Sequence, residues 1–186
     1  MITFRTQQRN RQRIRRTLAM WTVNVTAMVV LAWVVVTSLF QTAQVTGRSM
    51  EPTLSNGQTV LVDTAVYRLR RPSRFDVILF SGPEGEGGET IKRIVGLPGE
   101  TVRIAGGDVY INGVKTAMPL ETTRCAVAGT AQEAVVLGEN EYFVLGDWPE
   151  VSEDSRFSTV GNIPLSRIRG KVWFVAAPFL SFGAVR

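Results

Sequence analysis

A chain of 186 residues with no histidine and one cysteine cannot build a Ser-His-Asp triad, a Cys-His pair, a histidine-containing or four-cysteine zinc site, or an intramolecular disulfide. The length suits one domain with an appendage, and 45% hydrophobic residues with 17 glycines suit a turn-rich folded body. The net charge of +5 is local: Arg5, Arg9, Arg11, Arg13, Arg15 and Arg16 stand in residues 1–16 without an acid, and the rest of the chain is nearly neutral.

After this basic tail, residues 18–40 read LAMWTVNVTAMVVLAWVVVTSLF, 23 residues without a charge. As a helix the run is about 35 Å long, enough to cross a bilayer. It predicts a transmembrane helix over 17–40. The competing reading is a cleaved signal peptide, but the run exceeds the usual apolar core of one, and Ser38–Gln44 lacks a small-x-small exit. Arginines crowd the N-terminal side, and only Arg48 falls soon after the helix. The positive-inside rule therefore predicts a cytoplasmic N-terminus, with residues 41–186 outside. A tail of arginines can also bind nucleic acid, but the adjoining helix explains it better, and no nucleic-acid partner is expected.

Beyond the helix, QTVLVDTAVY, FDVILFSG, ETIKRIVG, TVRIAGGDVYING, EYFVLGD and GKVWFVAAP are β-branched and aromatic runs punctuated by Gly, Pro, Asn and Asp. They predict a mainly β, antiparallel, barrel-like body over 41–186, with a small insertion near 106–138. AGGDVYING carries two hairpin-turn signals. SGPEGEGGE, 81–89, reads as an acidic hairpin loop. Cys125 reads as a small buried hydrophobe.

Three stretches carry candidate chemistry. GRSMEPTL, 47–54, sets Ser49 in a Gly/Pro context just past the apolar helix. Without histidine, a serine is activated by lysine, tyrosine or a carboxylate. Of the three lysines, Lys115 follows the Asn112-Gly113 turn and reads as solvated, and Lys171 reads as a strand-edge charge. Lys92 sits inside an apolar strand, where the period of two lets either Lys92 or Arg93 face the interior. A general base must be neutral. Free lysine is neutral in about one molecule in 2,500 at pH 7, and burial is what lowers its pKa. On the residues alone, a Ser49–Lys92 pair competes with a turn serine and a strand-edge lysine. In VLGDWPEVSEDSRFSTVG, 144–161, acids and Arg156 crowd together, either as an ion-paired loop that fixes a site or as a solvated acidic turn.

Together the three stretches resemble the boxes of type I signal peptidases, membrane-bound serine endopeptidases of the Gram-positive-like kind. GRSMEPTL is similar to the family's SM-x-PTL box, IKRIVGLPGE to its lysine box, and GDWPEVSEDSRFSTVG to its GDNR…S-x-DSR box. The resemblance implies Ser49 as nucleophile, Lys92 as general base and Ser152 as the hydroxyl that orients the lysine. It implies an oxyanion donor in the Ser49 backbone N–H, since Gly47 stands where some members have a serine. Val45, Leu54 and Ile91 match substrate-pocket positions, and Asp147, Asp154 and Arg156 match supporting residues. Trp148 and Pro149 depart from the family's Asn-Arg.

No metal or cofactor is implied. The implied substrates are signal peptides of exported preproteins, met at the lipid bilayer and near the secretion translocon. A non-catalytic or dedicated relative assisting pilus or surface-protein assembly is the alternative. A self-cleaving repressor-type protease would need a DNA-binding N-terminus, which 18–40 are too apolar to supply. A simple membrane anchor leaves the three boxes unexplained.

Overall fold

The computed structural model describes residues 2–82, 88–120, 124–178 and 181–185. It comprises two units, a helical one up to Leu39 and a β body from Phe40. Helix α1 runs Ile2–Leu39, so the arginine segment continues the apolar helix. Its stretch Arg16–Leu39, whose most apolar 18 residues have a mean hydropathy of 2.0, is long and apolar enough to cross a membrane. Leu18, Trp21, Met28, Leu31 and Trp33 are all exposed on it. An apolar surface of that extent marks the helix as a candidate membrane span.

Among the described residues, the body holds twelve strands in two sheets. In chain order they are β1 (Phe40–Gln44), β2 (Thr59–Asp63), β3 (Val77–Ser81), β4 (Glu89–Gly96), β5 (Thr101–Ala105), β6 (Asp108–Ile111), β7 (Val114–Lys115), β8 (Val135–Val136), β9 (Glu141–Leu145), β10 (Ile163–Pro164), β11 (Ile168–Ala177) and β12 (Gly183–Ala184). The larger sheet has the order β1-β2-β11-β3-β4-β9-β10, with β12 also on β11. Its described pairings are antiparallel. The smaller sheet has the order β7-β6-β5-β8.

The smaller sheet occupies the region expected as an insertion, but begins earlier, at Thr101. Both sequence turn signals are two-residue hairpin loops. Gly106-Gly107 (φ 59° and 86°) joins β5 to β6, and Asn112-Gly113 (φ 51° and 80°) joins β6 to β7. Positive φ at both central positions matches the right-handed twist of the flanking strands, and it explains the Gly and Asn there. Val102, Ile104, Val109, Ile111 and Cys125 pack with Phe143 and Leu145, which anchors the small sheet to β9. Burial pushes the Cys125 thiol up to about 11, as expected of a thiol used for packing.

Three expectations are corrected. The end of the run QTVLVDTAVY, Val66 and Tyr67, turns into a short helix, α2 (Val66–Leu69), because the Asp63 carboxylate accepts from the N–H groups of Ala65 and Val66, each at 2.9 Å. Lys171 is no edge charge: β11 lies between β2 and β3, and its amine donates to Asp76 at 2.6 Å. Burial alone would raise the Asp76 carboxyl, but hydrogen bonds from Lys171 and the Ser73 N–H hold it below its ordinary range. Finally, Lys92 and Arg93 do not divide into one buried and one exposed residue. Both are buried, because both faces of β4 are covered. The central part of the expected 81–89 loop, 83–87, lies outside the described residues.

Candidate active site

After β1 the chain leaves the sheet edge in a compact turn, 45–58, that carries Ser49. Val45 donates to the Gln58 carbonyl and accepts from Gly57, both at 2.8 Å, while Leu54 donates to Met50 at 2.8 Å. Val45, Met50 and Leu54 are buried in the cluster formed by β1, β2, β3 and β11. These apolar plugs fix the turn from below and leave Ser49, between them, half-buried at the surface. Gly47 is required by its backbone: φ is +85°, a region a side chain rarely adopts. The Asn56 side chain accepts from the Gly47 N–H at 2.9 Å.

Lys92 comes from β4. It pairs across with Ile78 of β3, and only 3% of its surface is exposed. Its amine donates to the Ser49 Oγ at 2.6 Å. Burial pulls the Lys92 pKa down to about 8; the carboxylates of Asp154, Glu153 and Asp147 act in the opposite direction, and Arg156 acts with burial. Hydroxyl and amine thus sit within proton-transfer distance, and the amine is partly neutral at physiological pH.

The loop after β9 joins the other two stretches. The Trp148 N–H donates to the Ser49 carbonyl at 3.0 Å. Asp147 accepts from Arg93 through two parallel bonds, Nε and Nη2, each at 2.7 Å, and from the Thr53 hydroxyl at 2.5 Å. Arg93 also donates to the Phe75 carbonyl at 3.0 Å. One buried fork therefore ties GRSMEPTL, IKRIVG and GDWPE together. A second buried pair joins Arg156 to Asp154 at 2.8 and 2.9 Å, and Arg156 reaches the Pro149 carbonyl at 2.7 Å. Ser152 is buried, and its hydroxyl donates to Asp154 at 2.7 Å. The described bond of Ser152 thus runs to Asp154, and that of Lys92 runs to Ser49.

Val45, Leu54 and Ile91 all belong to the buried cluster beneath Ser49, and Leu54 exposes no surface. The cleft at the dyad, roughly 290 Å³, is bounded instead by Thr46, Ser49, Thr90, Lys92, Val151 and Glu153, among others. Three residues of the site were not singled out from sequence: Arg93, Thr53 and Gly146. Arg93 carried a signal, an arginine inside an apolar strand. Gly146 precedes Asp147, and a Cβ there would overlap the Ser152 hydroxyl and stand 2.6 Å from the Ser49 carbonyl oxygen. Only glycine lets the two serine segments close on each other.

A buried amine on a hydroxyl, with no imidazole in the chain, defines a serine–lysine arrangement on a mainly β body. A family model described as "Signal peptidase, peptidase S26" matches residues 18–177. Signal peptidase I of Bacillus licheniformis is 34% identical over 172 residues, covering 89% of this chain and 91% of its own. Signal peptidase IB of Staphylococcus aureus is 28% identical over 184 residues, covering 91% of this chain and 94% of its own. A crystal structure of a signal peptidase I from Enterococcus faecalis shares 30% identity, covers 55% of this chain and 97% of that one, and has a TM-score of 0.44. The chain belongs to the signal peptidase family, peptidase S26.

Proposed function

We propose that this protein is a membrane-anchored serine endopeptidase that removes signal peptides from exported preproteins with a Ser49/Lys92 dyad. The observation that carries the reading is the 2.6 Å approach of the Lys92 amine to the Ser49 Oγ inside a strand buried on both faces. The neutral amine takes the Ser49 proton as Oγ attacks the scissile carbonyl. The C–N bond then breaks, and the lysine ammonium protonates the leaving amine. The amine next deprotonates a water as it attacks the acyl ester; the ester C–Oγ bond breaks, and the lysine ammonium returns the proton to Ser49. The Ser49 N–H has no acceptor among the described residues and serves the developing oxyanion. Ser152 and Asp154 position the lysine side of the cleft, and the Arg93–Asp147 fork positions the serine side.

The substrate lies extended between two open strand edges. β1 is the edge of its sheet, and β9 pairs with β4 only from Arg93 onward, which leaves Glu89–Lys92 unpaired on that side. Backbone hydrogen bonds to such edges bind a chain with little regard to its sequence, and small side chains near the cut fit the narrow cleft between Thr46, Thr90 and Val151.

The N-terminus is cytoplasmic and the β body extracytoplasmic, beside the translocon that delivers the substrates. Phe40, the first residue after α1, begins a chain of rings through Trp173 and Phe174 to Phe182, with centroids 5.5 to 5.8 Å apart. Such aromatic groups suit the headgroup region of a bilayer. The test is incubation of the detergent-solubilised protein with a preprotein, beside Ser49→Ala and Lys92→Arg. Cleavage by the unmodified protein alone is expected, because a guanidinium does not give up its charge. Cleavage by Ser49→Ala would overturn the reading.

A further inference from the structure

Beside the dyad cleft lies a second hollow, of roughly 490 Å³, lined by Arg48, Glu51, Pro52, Trp148 and Glu150. Of these residues, only Arg48 also lines the cleft that holds Ser49 and Lys92. The hollow is built onto the nucleophile. Arg48 directly precedes Ser49, and the Trp148 N–H binds the Ser49 carbonyl at 3.0 Å. The Arg48 guanidinium stands 4.4 Å from the centre of the Trp148 ring. Its Nε and Nη2 both reach Glu51, at 3.2 to 3.3 Å. Trp148 supplies the ring of this arrangement, and Pro52 the second apolar wall.

We propose that this hollow receives the residues that follow the cut, and that it favours cationic or aromatic side chains there and disfavours acidic ones. The inference rests on the peptidase reading above. If the acyl side of an extended substrate occupies the two open strand edges of the Lys92 cleft, the leaving side must pass over Arg48, where the two hollows meet. There it finds an indole and a proline ring with carboxylates beside them. Arg48 is held by Glu51, whereas exposed Glu150 makes no hydrogen bond or ion pair among the described residues. An incoming lysine or arginine gains Glu150 and the rim of the indole. An aromatic ring gains the apolar surface. An aspartate or glutamate meets an uncompensated carboxylate.

The test is a set of peptides identical up to the cut that carry Lys, Phe or Asp at each of the first three positions after it. For the unmodified protein, kcat/KM is expected to favour Lys and Phe over Asp by about tenfold at one of those positions. That factor corresponds to about 1.4 kcal/mol. Glu150→Gln is expected to erase the Lys-over-Asp difference, and Trp148→Asn the Phe preference. Trp148→Phe is expected to keep the preference for Phe, which separates loss of the ring from disturbance of the loop. Affinities of the same peptides for Ser49→Ala protein, read by fluorescence anisotropy, should follow the same order. Equal affinities and rates across the series, or a preference untouched by Glu150→Gln and Trp148→Asn, overturn this inference. Failure of the unmodified protein to cleave any peptide strikes the peptidase reading instead, and the anisotropy series still decides on the hollow.

Discussion

Replacing Lys92 with methionine tests whether burial is what makes this lysine a base. Its pKa falls from the ordinary lysine value to about 8. At pH 7 roughly one molecule in ten then carries a neutral amine, against about one in 2,500 for free lysine, a gain of roughly 250-fold in available base. The same depression opposes folding. Because the folded-state pKa lies below the unfolded one, the unfolded chain holds an extra proton between pH 8 and about 10.4. Stability therefore rises with pH through that window, and below pH 8 the native state carries the full cost, about 3 kcal/mol. Methionine fills similar volume without a charge. Lys92→Met should be inactive, yet more stable than the unmodified protein at pH 7 by up to that amount, with the advantage shrinking above pH 8. Denaturant unfolding of both proteins at pH 7, 9 and 10.5 measures the difference, and the acid limb of kcat/KM should fall near pH 8. A stability difference independent of pH, or an acid limb near pH 10, would refute the reasoning.

Gly146→Ala should lower kcat by at least about tenfold with a smaller effect on KM, because its Cβ would push Ser152 and the Ser49 carbonyl apart; steady-state kinetics on a preprotein peptide checks it. Arg93→Met should destabilise the fold by about 3–5 kcal/mol by leaving Asp147 charged and buried, while the double change Arg93→Met with Asp147→Leu should recover part of that loss in denaturant melts. Protease added to intact cells or spheroplasts should digest the β body and spare the arginine segment, and an accessible arginine segment would reverse the proposed orientation.

Much of this arrangement was legible in the sequence because the chemistry demands rare residue types in rare places. A serine in a Gly/Pro turn and a lysine in an apolar strand are conspicuous in a chain without histidine. The hairpins at Gly106-Gly107 and Asn112-Gly113 were equally legible, since positive φ leaves few residue choices. What stayed hidden depends on tertiary neighbours. β1, FQTAQ, has no alternating pattern and is a strand only through its register with β2. Alternation along β4 suggested one wet face, but turn 45–58 and Asp147 cover that face, so Arg93 is buried with Lys92. Thr53 looked like part of a motif, and only the fold shows it reaching Asp147. Ser152 was expected to address Lys92, yet its donor bond goes to Asp154 two residues on, a local contact that spacing alone cannot rank.

The two arginine–carboxylate pairs bear on Lys92, the proposed base. A lysine whose pKa is lowered by burial tolerates few anions nearby, since each one favours its charged form. Yet Asp154, Glu153 and Asp147 all act on Lys92 in that direction. The buried acids are each gripped by an arginine, Asp147 by Arg93 and Asp154 by Arg156, and Glu153 is exposed to solvent screening. The pairs let the loop use carboxylates as rigid acceptors for Ser152, Thr53 and the Gly146 N–H without imposing their full field on the amine. Arg156→Met therefore both removes a cation that lowers the Lys92 pKa and unmasks the Asp154 carboxylate that raises it. In protein shown by circular dichroism to remain folded, the acid limb of kcat/KM should move to higher pH, with kcat at its alkaline plateau less affected than the rate at pH 7. Arg156→Met with Asp154→Asn removes the anion as well and should return the limb toward its original position. A limb that stays put or moves down in the single variant would show that burial alone sets the base, and that the arginines serve only to hold the loop.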